Sequence, residues 1–352
     1  MRLFSRTRRN RALAEADRLE AEGRPLDAVE ALVRANREQP RPEIERRLVS
    51  ARNRAFAKLP LGEANPIESR LTEVPEGIAP LDEMQLPAIA ADELSAEAIA
   101  DGVLRHGCLL VRGLVPPERA QSLVAGIDRA FEGRDANAIG APVDETTPWF
   151  EPFEPDPEYA QAVAEGRGFV NQGSGTWIAD SPRLLFEMLE TFENVGLRER
   201  ITGYLGERPA ISLNKGTLRR LPPEGGTEWW HQDGAFLGKG IRSLNVWVAL
   251  TPCGRDSPGM DFVAERLDGI VEPGSRGADF DWSLSDEEVR ELAGDSVVRP
   301  IFDAGDAVLF DHLFLHRTGT DRGMTKTRYA TETWFFGPSA YPDPTAQVPL
   351  VF

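Results

Sequence analysis

The sequence predicts a mainly β protein with flanking helices, in which a double-stranded β-helix, or jelly roll, follows an N-terminal α-helical hairpin. Runs rich in β-branched and aromatic residues, separated by turn residues, begin at position 210 and continue to position 336. Amphipathic helical patterns fill most of the first 58 residues and return between positions 95 and 205. No apolar run approaches the roughly 18 residues that a membrane helix needs, so we expect no membrane association.

Residues 1–58 have the layout of a tetratricopeptide-like helical hairpin. Leu13, Ala16 and Leu19 keep helical spacing up to a Gly-Arg-Pro turn at 23–25, and two further helical patterns follow. One such unit cannot bury its own apolar face, because repeats of this kind are stable only when stacked. We therefore expect it to pack on the rest of the chain, on a partner protein, or on its own copy in a homodimer.

The remaining chain divides into a linker and one large domain. Residues 59–91 carry five prolines and predict an irregular linker, and residues 92–352 form the predicted jelly-roll domain. Within it, 108–112 is an apolar run typical of a short buried strand. Residues 135–167 are rich in Pro, Asp and Glu and show little periodicity. Because long loops inside compact domains are usually functional covers, we expect a lid there.

Eight runs after position 210 predict strands. That number suits the two facing sheets of a cupin-like jelly roll, whose ligands lie at one open end of the barrel. The runs cover positions 210–218, 228–233, 242–250, 259–264, 297–302, 307–310, 314–317 and 328–336.

The net charge of −17 is unevenly distributed. Residues 1–58 contain 15 Lys and Arg against 9 Asp and Glu, a net charge of +6; the rest contains 25 against 48, a net charge of −23. A body this acidic repels polyanions, which disfavours nucleic acid and favours a small-molecule substrate. The arginines of the first segment alternate with Asp and Glu at helical spacing, which indicates a solvated face.

Two cysteines, Cys108 and Cys253, lie in unrelated contexts, so the sequence predicts neither a disulfide framework nor a Cys-x-x-Cys metal site. The first ten residues are charged and lack the apolar stretch of a secretory signal. Both observations favour a reducing, cytoplasmic location.

A His-x-Asp pair, His231 and Asp233, is the first candidate for metal binding. On an extended chain residues i and i+2 point to the same face, so the imidazole and the carboxylate lie side by side. His316, in a later predicted strand, supplies a second imidazole. Two histidines and one carboxylate are the facial triad of non-haem Fe(II) oxygenases, which leaves coordination positions open.

The context of these residues resembles the phytanoyl-CoA dioxygenase-like family of Fe(II)/2-oxoglutarate dioxygenases, over about residues 98–340. The segments that carry the resemblance are CLLVRGL at 108–114, WHQDG at 230–234, SLNVWVAL at 243–250, GDAVLFDHLFLH at 305–316 and TRYA at 327–330. The resemblance implies His231, Asp233 and His316 as iron ligands and Arg328 as the partner of the distal carboxylate of 2-oxoglutarate. It also implies Fe(II), 2-oxoglutarate and O2 as cofactor and cosubstrates.

Chemistry supports Arg328 independently, because a guanidinium binds a carboxylate through two parallel charge-assisted hydrogen bonds. Arg322 and Lys326 are rivals, but the first lies in a predicted turn, whereas Arg328 begins a β-rich run. A surface arginine at the end of a strand is the alternative interpretation. His312 has strand spacing to His316, and we expect it to support the site or to lie on the surface rather than bind metal.

Weaker candidates complete the predicted site. Each is weighed against ordinary strand or loop packing. For cofactor contacts they are Asn214, Thr217, Asn245 and Trp247, and for substrate contacts they are Trp177, Asn171, Lys215 and Phe236.

The expected activity is hydroxylation of a small polar or carboxylated metabolite, with release of succinate and CO2. Asp233 favours hydroxylation over halogenation, because related halogenases carry a small residue at that position to admit chloride. Two alternatives remain open: a non-catalytic sensor or scaffold that binds metal and 2-oxoglutarate, and a cupin-type Zn or Mn enzyme, in which Arg328 would have no dicarboxylate to bind.

Overall fold

The computed structural model describes residues 2–62, 77–141, 148–155, 157–225, 229–273, 277–344 and 346–352. Parts of three predicted segments lie outside these residues: positions 63–76 of the linker, 142–147 and 156 of the lid, and 228 of the second strand run.

Three helices, α1 (Arg2–Ala21), α2 (Pro25–Glu38) and α3 (Pro42–Ala55), form the N-terminal region. Proline stands at the start of α2 and of α3, where its missing N–H costs no hydrogen bond. Their apolar side chains form one cluster with Ala210 and Val351 of the main body. Of the three expected arrangements, the structure shows packing on the rest of the chain; association with a second chain stays a prediction.

Seven further helices lie in the described part of the main body, around and between the strands. None of the helices in the described ranges is long and apolar enough to span a membrane. The seven are α4 (Ala96–His106), α5 (Pro117–Ala138), α6 (Ala160–Gln172), α7 (Pro182–Asn194), α8 (Leu197–Leu205), α9 (Gly234–Leu237) and α10 (Asp286–Ala293).

Helices α5 and α6 occupy both ends of the predicted lid at 135–167, so that segment is not one continuous loop. The sequence of α6 has two glycines and weak periodicity, so it does not predict a helix. Its packing explains the first glycine, since a Cβ at Gly166 would lie 3.0 Å from the Trp177 ring. Tertiary contact here outweighs the low helix propensity of glycine.

The strands form two sheets. The larger sheet runs in the order β1 (Ala88–Ala90), β2 (Cys108–Arg112), β10 (Ala307–Phe310), β6 (Ser243–Ala249), β12 (Arg328–Phe336), β4 (Ala210–Leu221) and β13 (Pro349–Val351), with β3 (Gly175–Trp177) also paired to β4. The smaller sheet runs in the order β8 (Ser283–Leu284), β5 (Trp230–His231), β11 (His316–Gly319), β7 (Gly259–Val263) and β9 (Val297–Val298). Each of the eight predicted runs overlaps one of these strands; β4 extends three residues beyond the run at 210–218, and β11 extends two residues beyond the run at 314–317.

Two apolar cores cover the two faces of the larger sheet. On β6, Val246 and Val248 pack toward the helices, whereas Trp247 packs with Phe262 of the smaller sheet. This alternation follows from the two-residue period of a strand. The second core therefore lies between the sheets and forms the floor beneath the candidate site.

Strand β4 carries one large irregularity in its pairing with β12. Thr333 lies opposite Gly216 and Phe335 lies opposite Ile211, so five steps along β4 match two steps along β12. The extra residues form a bulge, and bulges redirect side chains. As a result, both Asn214 and Lys215 line the space between the sheets.

Candidate metal centre

His231 and His316 meet because strands β5 and β11 pair in one register. The two residues are directly opposite each other in this antiparallel pair, and their ring centroids are 4.5 Å apart. Opposed residues in a sheet project to the same face, so the smaller sheet alone brings both imidazoles together.

Asp233 reaches the histidines from a turn rather than from the strand that the sequence predicted. Strand β5 ends at His231, and Asp233 has helical backbone angles (φ −60°, ψ −24°) at the start of α9. Its Oδ2 lies 3.7 Å from Nε2 of His316 and 4.0 Å from Nε2 of His231. The turn is fixed in part by Gly234, whose N–H donates to the carbonyl of His312 at 2.8 Å.

Gln232 points away from the site, as expected from its position between His231 and Asp233. Its amide nitrogen donates to the carbonyls of Gly269 and Leu313, and its amide oxygen accepts from the N–H of Val271. These bonds fix the segment that carries the candidate ligands.

Backbone carbonyls fix the tautomer of both histidines. Nδ1 of His231 lies 2.9 Å from the carbonyl of Trp229, and Nδ1 of His316 lies 3.0 Å from that of Phe314. A carbonyl only accepts hydrogen bonds, so each Nδ1 carries the proton. Each Nε2 lone pair is therefore available to a metal, and the hydrogen bond from Nδ1 to the carbonyl orients the ring.

The charges at the site favour the ligand forms of Asp233 and His316. Lys215 Nζ lies 2.9 Å from Asp233 Oδ1, which leaves Oδ2 facing the histidines. Burial by itself would raise the pKa of Asp233, but Lys215 and the two histidines lower it to about 2. Burial, and then the adjacent His231, lower the pKa of His316 to about 4.

The donor set fits a metal ion. One ligand atom from each of His231, Asp233 and His316 lies within 4.8 Å of the other two. The Nε2–Oδ2 distances exceed hydrogen-bonding range, so these donors do not satisfy one another. Two imidazoles and one carboxylate with an open side suit Fe(II).

A cavity of about 590 Å³ opens on the metal side of these residues, between the two sheets and α6. Its side chains come from both sheets. Those from the larger sheet include Asn214, Lys215, Thr217, Arg219, Asn245, Trp247, Arg328 and Glu332. Those from the smaller sheet include Met260, Arg317 and Thr318, and α6 contributes Glu165, Phe169 and Gln172.

Arg328 is a buried cation with unused hydrogen-bonding capacity inside this cavity. Its Nη1 donates to the carbonyl of Gly259 at 2.8 Å, whereas its Nε has no partner among the described residues. Burial lowers its pKa to about 10, so it remains charged at neutral pH. An unpartnered buried N–H is costly, which fits a site completed by an anionic ligand.

The rivals of Arg328 lie elsewhere. Arg322 is exposed, Lys326 forms an exposed ion pair with Asp256 at 2.8 Å, and neither lines the cavity. His312 is buried behind the site, with Nδ1 3.0 Å from Ser243 Oγ, and is not among the three clustered donors.

Six of the eight weaker candidates line the cavity. Asn245 has a buried amide oxygen without a hydrogen-bond partner in the described part of the chain, and Lys215 Nζ lies 4.0 Å from the centroid of the Phe236 ring. Phe236 also stacks on His231, with centroids 6.3 Å apart. The six are Asn214, Thr217, Asn245, Trp247, Lys215 and Phe236.

The other two do not line the cavity, which corrects the sequence-based expectation. Trp177 is fully buried and supports α6 from below, with Arg167 of that helix over its ring. Asn171 lies within α6 and outside the cavity lining. Arg220 is on the opposite face of β4 and pairs with Asp128.

Sequence reasoning missed an aromatic group at the mouth of the cavity. Trp282 lies edge-on to His231 at 5.8 Å, stacks on Phe280 and contacts Phe169 of α6 edge-on. The only available signal was an aromatic pair, Phe280 and Trp282, inside an acidic stretch without periodicity.

Comparison with known proteins agrees with this geometry. The phytanoyl-CoA dioxygenase (PhyH) family model matches residues 103–328, which is more than half of the chain and includes all three candidate ligands and Arg328. The chain belongs to the phytanoyl-CoA dioxygenase family. It is an Fe(II)/2-oxoglutarate-dependent oxygenase.

Solved structures with a similar fold share little sequence with this member of the family, and the assignment does not depend on them. EctD from S. alaskensis with 2-oxoglutarate and 5-hydroxyectoine is 16% identical, with 68% of this chain and 75% of that chain covered and a TM-score of 0.48. EvdO2 from Micromonospora carbonacea var. aurantiaca with 2-oxoglutarate is 17% identical, with coverage of 68% and 91% and a TM-score of 0.46. Among curated proteins, none matches the sequence.

Proposed function

We propose that His231, Asp233 and His316 hold Fe(II), that Arg328 binds the distal carboxylate of 2-oxoglutarate, and that the chain hydroxylates a small polar or carboxylated metabolite. The observation that carries the proposal is the shared cavity: the three donors and the under-bonded guanidinium open onto one space of about 590 Å³. We further propose that the two sheets constitute a double-stranded β-helix.

The bound iron, 2-oxoglutarate and O2 supply the oxidising power for a C–H bond, with succinate and CO2 as by-products. The protein's part is to hold and orient. The carbonyls of Trp229 and Phe314 keep both imidazoles in the ligand tautomer, and Lys215 occupies one oxygen of Asp233. A carboxylate at position 233 leaves no vacancy for chloride, which supports hydroxylation over halogenation.

The cavity supports a small substrate with a carboxylate or similar polar group. Its volume lies within the range of small-molecule sites, and 2-oxoglutarate takes part of it. Asn245, whose amide oxygen has no partner in the described part of the chain, offers a polar contact to such a substrate. Lys215, Arg219 and Arg317 also line the cavity, and each is paired with a carboxylate of the protein. The aromatic rings of Trp229, Phe236 and Trp282 provide the apolar wall that small-molecule sites usually have.

A non-catalytic sensor that binds the same metal and cosubstrate is the second candidate. It would use the N-terminal helices to contact a partner, as proposed for residues 1–58. The cavity argues for catalysis, because beyond Arg328 it holds room and polar groups that a sensor of 2-oxoglutarate alone would not need.

An anaerobic titration with Fe(II) and then 2-oxoglutarate tests the proposal. We expect a visible metal-to-ligand charge-transfer band. Under ¹⁸O₂, small carboxylated compounds should then stimulate succinate formation, with ¹⁸O in the hydroxylated product. Absence of the band would overturn the site assignment. A band without stimulation by any compound of a broad panel would favour the sensor.

A further inference from the structure

An ion pair inside the cavity, Arg219 with Glu332, has no role in the proposed chemistry. Arg219 Nη2 lies 3.3 Å from Glu332 Oε2, and both side chains line the cavity. Arg219 Nη1 also donates to the carbonyl of Gly173 at 3.0 Å, and Trp334 Nε1 donates to the other oxygen of Glu332 at 3.1 Å. The carboxylate is therefore held from two sides.

Glu332 shares a strand and a cavity with Arg328. It is on the same strand and face as Arg328, and it lies opposite Trp247, whose ring is 5.6 Å from the Arg328 guanidinium. Burial lowers the pKa of His316 and of Arg328, and the charge of Glu332 opposes that change at both residues. The charge of Glu332 thus acts at both His316 and Arg328.

A carboxylate in this position is unfavourable for the ligand that the cavity is proposed to bind. 2-Oxoglutarate carries two negative charges, and like charges repel more strongly in a partly buried site than in water. A free Glu332 could also turn toward Arg328 and compete for its guanidinium. Arg219, fixed to Gly173 as well, prevents both effects by neutralising Glu332 in place.

We infer that Arg219 is a positioning residue for the cosubstrate: it holds Glu332 against the larger sheet, so that Arg328 stays available to the 2-oxo acid. The inference rests on the proposed function, because it takes 2-oxoglutarate to bind at Arg328. Arg219 itself needs no contact with the ligand.

A double-mutant cycle on the full chain tests the inference, with 2-oxoglutarate titrated into the anaerobic Fe(II) protein. Arg219→Met should raise the Kd for 2-oxoglutarate about tenfold or more, while Fe(II) binding stays unchanged. Glu332→Gln in the same background should restore the Kd to within about threefold of wild type. Arg220→Met is the matched control, since it removes the neighbouring cation from the opposite face of β4, and it should change nothing.

Further outcomes decide between this role and others. Arg219→Lys keeps the charge and should retain most of the affinity, and it stays informative if the methionine variant folds poorly. The rise in melting temperature caused by 2-oxoglutarate gives a second readout. If the double variant binds as weakly as Arg219→Met, Arg219 contacts the ligand directly and the inference is wrong. An unchanged Kd in Arg219→Met overturns it as well. Failure of the proposed function looks different, because wild type would then show no band.

Discussion

The two sheets that enclose the cavity are built by different means. In the larger sheet, β4 has 12 residues and β12 has nine, so long backbone ladders set the positions of Arg328 and its neighbours. In the smaller sheet, β5, β8 and β9 have two residues each, yet this sheet carries both candidate histidines. Side chains compensate there, as Arg299 and Arg317 both bind Asp261.

This contrast teaches that the metal half and the cosubstrate half of the site depend on separate structural causes. Hydrogen bonds from ring nitrogens to carbonyls two residues earlier orient the histidines. Strand register orients Arg328. Damage to one half should therefore largely spare the other. Two contacts connect the halves: Lys215 of β4 binds Asp233, and Arg328 donates to the carbonyl of Gly259 in the smaller sheet.

The largest expected effect is loss of the metal site in His316→Ala. Two remaining donors cannot complete a three-ligand site, so we expect no detectable Fe(II) binding in equilibrium dialysis at micromolar iron. The larger sheet should persist, with an unchanged circular dichroism spectrum. His106→Ala, which removes a histidine outside the site, is the control and should bind one Fe(II). Metal binding by His316→Ala would contradict the ligand assignment.

The pH dependence of apoprotein stability should report on the smaller sheet, because that sheet carries His316. His316 has a folded pKa of about 4 against an ordinary value of 6.5, so the unfolded state takes up its proton first as pH falls. The contribution of His316 to the free energy of unfolding is complete above pH 6.5. It falls by about 3 kcal/mol as the pH drops to 4. Urea unfolding in chelator at pH 7 and 4.5 should show that loss in wild type and a smaller one in His316→Gln; equal losses would refute the explanation.

Arg328→Met should damage only the cosubstrate half. Losing charge-assisted hydrogen bonds to the carboxylate costs about 2 kcal/mol, or roughly a 30-fold rise in the Kd for 2-oxoglutarate. Fe(II) affinity should not change. Anaerobic titration measures both values, and Arg322→Met, on an exposed turn, should match wild type. An equal effect from the Arg322 variant would mean that general charge, rather than position, attracts the ligand.

The smallest effect should come from Lys215→Met, which removes one of the two contacts between the halves. Residues that hold a metal ligand from behind typically change metal affinity by about tenfold or more when removed, so we expect a roughly tenfold weaker Fe(II) site. Competition with a calibrated chelator gives the affinity. Lys239→Met, an exposed lysine just beyond α9, serves as the control. Unaltered affinity in Lys215→Met would show that Lys215 does not support the metal site.

The features that the sequence predicted are local, whereas the features that it missed depend on long-range packing. The eight strand runs depend on local periodicity, which a sequence displays, and the grouping of His231, Asp233 and His316 depends on the resemblance of their motifs to the phytanoyl-CoA dioxygenase family. The bulge in β4 and helix α6 depend on what packs against them, and neither the register of Thr333 nor the contact of Gly166 with Trp177 is written in local sequence.

The same limit explains why the sequence suggested a substrate contact for Trp177 and gave no indication of Trp282. Both are tryptophans in irregular stretches, and only the fold decides that the first lies under α6 and the second at the cavity mouth. A residue's type indicates that it has a large apolar surface to cover; which neighbour covers it is a long-range property.

The position of Trp282 has an optical consequence. Its indole lies 5.8 Å from the His231 ring, and a second indole, Trp247, lies against Arg328. A paramagnetic ion at His231 would quench the emission of the first, and an anion at Arg328 would shift that of the second. Of the seven tryptophans, Trp282 thus lies beside the metal half of the site and Trp247 beside the cosubstrate half. Variants that keep only one of these two indoles would report the order in which metal and 2-oxo acid enter.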